Sequence, residues 1–201
     1  MLQFNLSTFP QLNTKRLLLR EITSADVNRI YKLRSNEEVL RYLDRPPMPS
    51  EEDAKIFIEK NTASEAANKT VLWGITLQEQ PLQLIGTIGF WKTDPEHFRA
   101  EIGYMLLPEY FNKGYMQEAI KAVITYVFTE TTLHSIEANI NPDNLASANL
   151  LEKNGFKKEA HFRENFYYNG KFLDSIIYSL VRQNSCFQRC NTLSIFLNDF
   201  V

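Results

Sequence analysis

The sequence predicts a single α/β domain with a mixed central sheet of about seven strands and helices flanking it. Three stretches carry that expectation. Ala100 to Leu107 is a short apolar run, followed after a turn by a long amphipathic segment from Tyr115 to Glu130 and a second short run from Ser135 to Ile140. Strand, helix and strand in that order make a right-handed crossover, which places two parallel strands in one sheet. Before this unit, Val71 to Leu77 and Leu82 to Trp91 alternate with period two, as neighbouring antiparallel strands do. After it, Phe156 to Tyr168 and Lys171 to Val181 flank Asn169-Gly170, a strong short-range hairpin signal.

The remaining elements follow in order. Arg16 to Ile22 reads as a first strand, and Ser24 caps a helix through Leu33 with Val27, Ile30, Tyr31 and Leu33 as its apolar face. A short helix is expected over Glu37 to Leu43, before Asp44-Arg45-Pro46-Pro47-Met48-Pro49 breaks the pattern. Ser50 with Asp53 three residues on then opens a helix that should end near Ala67 to Lys69. Gln80-Pro81 joins the two antiparallel strands, and Gly86 and Gly89 mark a bulge or a close backbone contact in the second. Along Tyr115 to Glu130, Tyr115, Ala119, Val123 and Val127 form one row and Met116, Ile120, Ile124 and Phe128 the adjoining one, a single core-facing stripe. A shorter helix, Leu145 to Lys153, is opened by Asn144 and closed by Asn154-Gly155. Residues 1–182 thus form the domain and 183–201 a tail, in which Thr192 to Leu197 suits either a small strand or a helix.

Lys and Arg number 22 against 24 Asp and Glu, a formal charge of −2 over 201 residues. This balance argues against nucleic acid as a partner and against a membrane-surface segment. No apolar run approaches the roughly 18 residues of a spanning helix, and Met1 to Pro10 lacks the pattern of a signal peptide, so a cytoplasmic location is expected. Cys186 and Cys190 have no histidine nearby, and His97, His134 and His161 show no ligand spacing, so no metal is expected.

The turn before Tyr115 carries possible chemistry. Gly114 permits positive φ and close approach of a ligand, and Asn112 is one of the few other residues that tolerates such a backbone. The first helical amides have no intrahelical acceptor and the helix dipole adds positive charge, so the turn suits a phosphate, with Lys113 adding a full charge. The residues alone fit an ordinary strand-to-helix turn better, since most such turns bind nothing and neither of the common glycine-rich phosphate patterns occurs.

Thr14-Lys-Arg-Leu-Leu-Leu-Arg20, Ala100-Glu-Ile-Gly-Tyr104, Phe111-Asn-Lys-Gly-Tyr-Met-Gln-Glu-Ala119, Asn141 to Ser147, Asn154-Gly-Phe156, and Asn169-Gly170 with Asp174 occur in that order. Together they resemble the GCN5-related N-acetyltransferase (GNAT) superfamily, in particular its RimJ/RimL branch, over about Leu12 to Arg182. The resemblance implies that acetyl-CoA lies across the opening between the parallel strands. Its pyrophosphate would sit on the amides of Asn112, Lys113, Gly114, Tyr115, Met116 and Gln117, and its pantetheine arm would pair with Met105, Leu106 and Leu107. Phe111 and Met116 depart from the general superfamily turn, although an aromatic at the first position is usual in this branch.

The resemblance also implies acetyl transfer to a primary amine, of a protein or peptide N-terminus or of a small molecule such as a polyamine, amino acid or aminoglycoside. A non-catalytic acyl-CoA-binding module is the contrasting reading. Glu101 is the leading general base, with Glu137 and Glu164 as substitutes; alternatively Glu101 pairs with a basic neighbour at the sheet edge. Ser147 stands where RimL-like enzymes place a serine that protonates the departing sulfur, and Leu151 occupies the position of the tyrosine that other members use. Asn141 and Asn144 either bond pantetheine or cap the helix, and the Leu106 amide is a candidate oxyanion donor. Phe166 stands where RimL-like enzymes carry a glutamate, so ribosomal-protein specificity does not carry over. The 44–50 loop with Tyr42, Phe166, Tyr167 and Tyr168 should shape the acceptor cleft unless these aromatics are core, and a homodimer fits the family habit.

Overall fold

The computed structural model of the protein describes residues 9–66 and 70–183. The expected structure of the tail from residue 184 onward, and the end of the helix near 67–69, lie outside them. The chain enters through β1 (Leu12–Asn13) and β2 (Leu17–Arg20), then a 3-10 turn at Ser24–Asp26 leads into α1 (Val27–Ser35). Next come α2 (Glu37–Leu40), α3 (Glu51–Ala66), β3 (Val71–Leu77), β4 (Gln80–Asp94) and β5 (Arg99–Leu106). The second half adds α4 (Tyr115–Glu130), β6 (Ser135–Ile140), α5 (Leu145–Lys153), β7 (Lys157–Tyr168) and β8 (Lys171–Val181). The eight strands form one mixed sheet in the order β1-β2-β3-β4-β5-β6-β8-β7. The strand beyond the expected set is the two-residue β1, too short to show any periodicity.

The sheet separates two apolar layers. Ala119, Ile120, Val123 and Val127 of α4 pack with Trp73, Ile88, Ala100, Ile102, Ile136 and Tyr178 in the main core. On the opposite face Ile30 and Leu33 of α1 and Ala54 and Ile58 of α3 cover Ile22, Leu84 and Leu107. Because successive strand residues point to opposite faces, Glu101 of β5 shares its face with Met105 and lies opposite Ala100 and Ile102.

Two ion pairs explain why the opening motif has its spacing. Arg20 holds Asp26 through a two-pronged contact at 2.8 Å on both oxygens, and the same carboxylate accepts the Thr23 amide, fixing the entry to α1. Glu118, in the first turn of α4, accepts the Thr14 hydroxyl at 2.6 Å, the Arg16 amide at 2.8 Å and the Arg16 guanidinium at 2.7 Å. The entrance of α4 is thereby tied to the segment ahead of β2.

Candidate active site

β5 and β6 run parallel but pair only through Arg99–Glu101 and Ser135–Glu137. Beyond Glu101 the edge of β5 is free of β6, while its other edge stays paired with β4 through Leu106. The two strands therefore part like a fork whose closed end is at Glu101. The Leu107 amide donates to the Ile85 carbonyl at 2.9 Å, and its own carbonyl accepts the Tyr110 amide. Since backbone groups alternate direction along a strand, the amide and carbonyl of Leu106 face the gap, whereas those of Met105 face β4. Of Met105, Leu106 and Leu107, only Leu106 thus presents a free backbone pair to a ligand in the fork. This geometry also suits the Leu106 amide as an oxyanion donor.

The C-terminal end of β5 leads through Pro108–Tyr110 into the phosphate-capable turn. Asn112 has φ 58° and Gly114 φ 76°, so both residues singled out for left-handed backbone adopt it. The first intrahelical bond of α4 is from the Glu118 amide to the Gly114 carbonyl. Among the described residues, no protein acceptor meets the amides of Asn112, Lys113, Gly114, Tyr115, Met116 or Gln117. Arg16 lies beside the turn, donating to the Lys113 carbonyl at 2.9 Å with its guanidinium 4.6 Å from the centre of the Tyr115 ring. A charge at the turn thus comes from Arg16 as well as Lys113, and the sequence reading missed it because the two residues are 97 positions apart. The Gln117 side chain is occupied elsewhere, exchanging two hydrogen bonds with Asn154 and linking the start of α4 to the end of α5. Met116 packs partly into the main core, which accommodates its bulk at a position usually held by a small residue.

At the other side of the fork, α5 is capped by Asn144, whose side chain accepts the Ser147 amide at 3.1 Å. Asn141 likewise accepts the Asp143 amide at 2.9 Å. Both side-chain oxygens therefore serve the local turn, which leaves each amide NH2 to donate elsewhere. Ser147 is buried, and its hydroxyl lies 2.6 Å from the Tyr104 hydroxyl. Burial pushes the Tyr104 phenol up to about 12, while the Ser147 contact opposes that shift. The phenol consequently keeps its proton at neutral pH. Tyr104 is a residue that sequence reasoning quoted only as part of a motif, and its pairing with Ser147 bridges 43 positions.

Glu101 sits at the closed end of the fork and is 7% exposed. A bulge at Trp91 brings Lys92 into register with Glu101, and Lys92 Nζ lies 3.0 Å from Glu101 Oε2. Burial raises the Glu101 carboxyl above its ordinary range, Lys92 draws it down, and Glu137 pushes it up again. Of the two expectations for Glu101, the pairing with a basic neighbour is the one seen directly, and burial and the neighbouring charges act on its carboxyl in opposite directions. Glu137, directly across the parallel pair, is engaged by Arg99. Glu164 instead stands in the bulge of β7 with φ 51°, where its amide donates to Asp174. A cavity of about 210 Å³ is lined by Lys92, Asp94, Arg99, Ala100, Glu101 and Glu137.

The hairpin aromatics are not core. Phe162 is 50% exposed, Phe166 46% and Tyr167 62%. Register places Phe162 and Phe166 on the face that carries Glu137, while Tyr167 meets Phe172 on the other face at 5.0 Å between ring centres. Tyr42 is half-buried beneath Arg41. His97 and His161 contact Asp94 and Asp174, and no cluster suited to a metal ion occurs among the described residues.

Comparison with known proteins agrees with this architecture. The family described as Acetyltransferase (GNAT) domain matches residues 16–157. An uncharacterized N-acetyltransferase, YoaA of Bacillus subtilis (strain 168), is 41% identical over 174 residues, covering 87% of this chain and 98% of that protein. Spermidine N(1)-acetyltransferase of Vibrio cholerae is 26% identical over 159 residues, covering 79% of this chain and 89% of its own length. Among solved structures, a GNAT-family acetyltransferase from Bacillus anthracis superposes with a TM-score of 0.75 at 31% identity, covering 86% of this chain and 99% of the other. RimL, a ribosomal protein acetyltransferase in complex with coenzyme A, gives a TM-score of 0.78 at 22% identity, covering 86% and 98%, a likeness of fold. The family match, the extent of the YoaA similarity and the forked sheet together make this chain a member of the GNAT acetyltransferase family.

Proposed function

We propose that the chain transfers the acetyl group of acetyl-CoA directly to a primary amine of a protein or peptide N-terminus. The observation that carries the cofactor part is the set of unclaimed amides from Asn112 to Gln117, in the turn that follows β5 directly after the unpaired edge at Leu106. Pyrophosphate binds the turn, with Arg16 and Lys113 supplying charge, and the pantetheine arm runs along Leu106 towards Glu101. An amine arriving as an ammonium loses its proton to Glu101, directly or through a water, and its lone pair attacks the thioester carbonyl. The Leu106 amide stabilises the oxyanion. Collapse expels the CoA thiolate, which takes a proton from Ser147 as Ser147 takes the Tyr104 proton; the second proton shed by the new amide nitrogen returns to Tyr104, so both hydroxyls end the step protonated, and Glu101 releases its own proton to water. No metal takes part in this sequence.

The exposed Phe162 and Phe166 favour a peptide, because they offer apolar surface to a longer acceptor on the sheet face that carries Glu101 and Glu137. The second reading is a polyamine acceptor, favoured by the juxtaposed carboxylates of Glu101 and Glu137 and by the similarity to a spermidine acetyltransferase. Acetyl transfer from labelled acetyl-CoA to a pool of N-terminal peptides, polyamines, amino acids and aminoglycosides, resolved by product mass, separates these readings. Labelled peptides are the expected product. Label confined to polyamines would replace the first reading with the second, and binding of acetyl-CoA with no transfer would favour a regulatory module.

A further inference from the structure

Seven arginines stand in the described part of the first strands and helices and the site: Arg16, Arg20, Arg29, Arg34, Arg41, Arg45 and Arg99. Arg16, Arg20 and Arg99 face Glu118, Asp26 and Glu137, and Arg29 donates to the Leu84 carbonyl. Arg41 is exposed to water above Tyr42. Arg34 and Arg45 differ from all of these. Each is half-buried, and among the described residues neither guanidinium meets a carboxylate or any other hydrogen-bond acceptor.

The backbone brings the two together. The Met48 amide donates to the Arg34 carbonyl at 2.9 Å, folding the proline-rich segment back over the last turn of α1. The Arg34 guanidinium then lies 4.1 Å from the centre of the Phe57 ring on α3, which fixes its plane. Burial, and then the charge of Arg45, push Arg34 well below the usual arginine range to about 10, and burial lowers Arg45 as well. Two like charges, each half-buried and without a counter-ion, repel one another, and an oxyanion seated between them relieves that repulsion. Met48, Phe57 and Tyr31 pack in the same apolar cluster as Met105 and Leu107, on the face of the sheet that carries Glu101.

We propose that Arg34 and Arg45 form a binding site for a carboxylate of the acceptor, set apart from the reacting amine, so that acidic peptides are preferred over polyamines. The site itself is independent of the reaction, but its assignment to an acceptor rests on the acetyltransfer reading above. Guanidinium forks match a carboxylate through paired N–H donors, and the aromatic face of Phe57 keeps one fork planar for that contact. Polyamines, carrying only positive charge, are repelled by the same pair.

The test uses the full chain with bound CoA, labelled with nitrogen-15 in arginine, and follows the Arg34 and Arg45 Nε–H signals by NMR. The probes are the peptide amides Ser-Glu-Glu-Ala and Ser-Ala-Ala-Ala, free glutamate and spermidine. The acidic peptide is expected to shift both signals saturably and to bind on the order of tenfold more tightly than the neutral one. Free glutamate binding as tightly as the acidic peptide would show that the pair does not select a peptide, and overturns the proposal. Arg34→Met and Arg45→Met should each remove that preference, and Arg34→Lys should restore only part of it, with thermal unfolding confirming that each variant folds. Equal binding of acidic and neutral peptides, or a preference unchanged in both Met variants, overturns the proposal. A rise in the acetyl-CoA KM of both variants that is absent with the dephospho-cofactor overturns it too, by assigning the pair to a cofactor phosphate. Acidic peptide bound through the arginines but never acetylated leaves the site standing and removes the peptide-acceptor reading. Peptide acetylated with no dependence on either arginine does the reverse.

Discussion

Lys92 reaches Glu101 because a single extra residue at Trp91 shifts the register of β4 against β5. Its side chain is 64% exposed while that of Glu101 is 9% exposed, so the pair is partly screened and its value lies in setting the carboxyl rather than in stability. A general base acts as the ionised form, and turnover should therefore rise as pH passes upward through the Glu101 titration. Lys92→Met removes the ammonium that opposes the burial shift. The acidic limb of the kcat/KM profile should then move to higher pH, and Lys92→Arg should return it; an unmoved limb would separate Lys92 from the chemistry. Glu101→Gln should lower kcat by about a hundredfold while leaving acetyl-CoA binding intact, measured by turnover and calorimetry. Ser147 and Tyr104 act on the other half of the reaction. A thiol with pKa near 8.5 leaves readily, so the assistance they provide is modest, and Ser147→Ala should cost roughly tenfold in kcat. Tyr104→Phe should cost about the same and add little to the Ser147→Ala variant, as measured by the double-variant cycle.

α4 is the element on which cofactor binding depends, and it was almost fully legible in the sequence. Its apolar stripe recurs at helical spacing, its expected limits Tyr115 and Glu130 match the structure, and the left-handed residues at its entrance had a chemical reason to be Asn and Gly. The long-range ties were not legible. Arg16 with Lys113, Gln117 with Asn154, and Tyr104 with Ser147 each join residues far apart in sequence, whose meeting depends on how the sheet forks and how the helices lie. A β-bulge likewise leaves no periodic mark, so Lys92 escaped notice although Glu101 did not. The sequence leaves the hairpin aromatics between cleft and core, and their exposure follows from the place of β7 at the edge of the sheet among the described residues. Glu118 gives the element its sharpest test. Removing its carboxylate leaves Thr14 and Arg16 without their acceptor, and because the site is partly open to water the loss should be about 1–2 kcal/mol. Glu118→Ala should therefore lower the Tm and raise the acetyl-CoA KM together, since Arg16 would lose its hold beside the turn. Gly114→Ala differs, adding about 1–2 kcal/mol of strain at positive φ without touching Arg16 or Glu118; its KM for acetyl-CoA should rise with kcat nearly unchanged.

At the scale of the whole molecule, the fork must be held open at one end and closed at the other. Closure comes from three parallel residue pairs at Glu101 and from β8, which pairs with all of β6 from Ser135 to Ile140. The last described contacts of the chain reinforce that end. The Arg182 amide donates to the His134 carbonyl at 2.8 Å, and its guanidinium donates to the carbonyls of Thr131 and Val127 at the C-terminus of α4. A cation there also meets the negative end of the helix dipole. We therefore expect the domain to end functionally at Arg182. A chain cut after Arg182 should keep its Tm and its acetyl-CoA affinity, whereas one cut after Leu180 loses both the Val181 pairing with Ser135 and the Arg182 clamp. With several hydrogen bonds to partly buried carbonyls gone, the shorter chain should be destabilised by about 2–3 kcal/mol. Binding offsets a loss of that size, since acetyl-CoA at a hundred times its Kd adds about 2.7 kcal/mol to a folded state that binds it. Thermal unfolding of the two truncations, with and without acetyl-CoA, reads both effects. Sedimentation of the full chain beside the longer truncation reads a third: loss of a dimer on removing residues 183–201 would assign the tail to assembly, and an unchanged sedimentation coefficient per mass would place any dimer contact within the domain. If the longer truncation instead unfolded as readily as the shorter one, the tail would belong to the fold, and the boundary at Arg182 would be wrong.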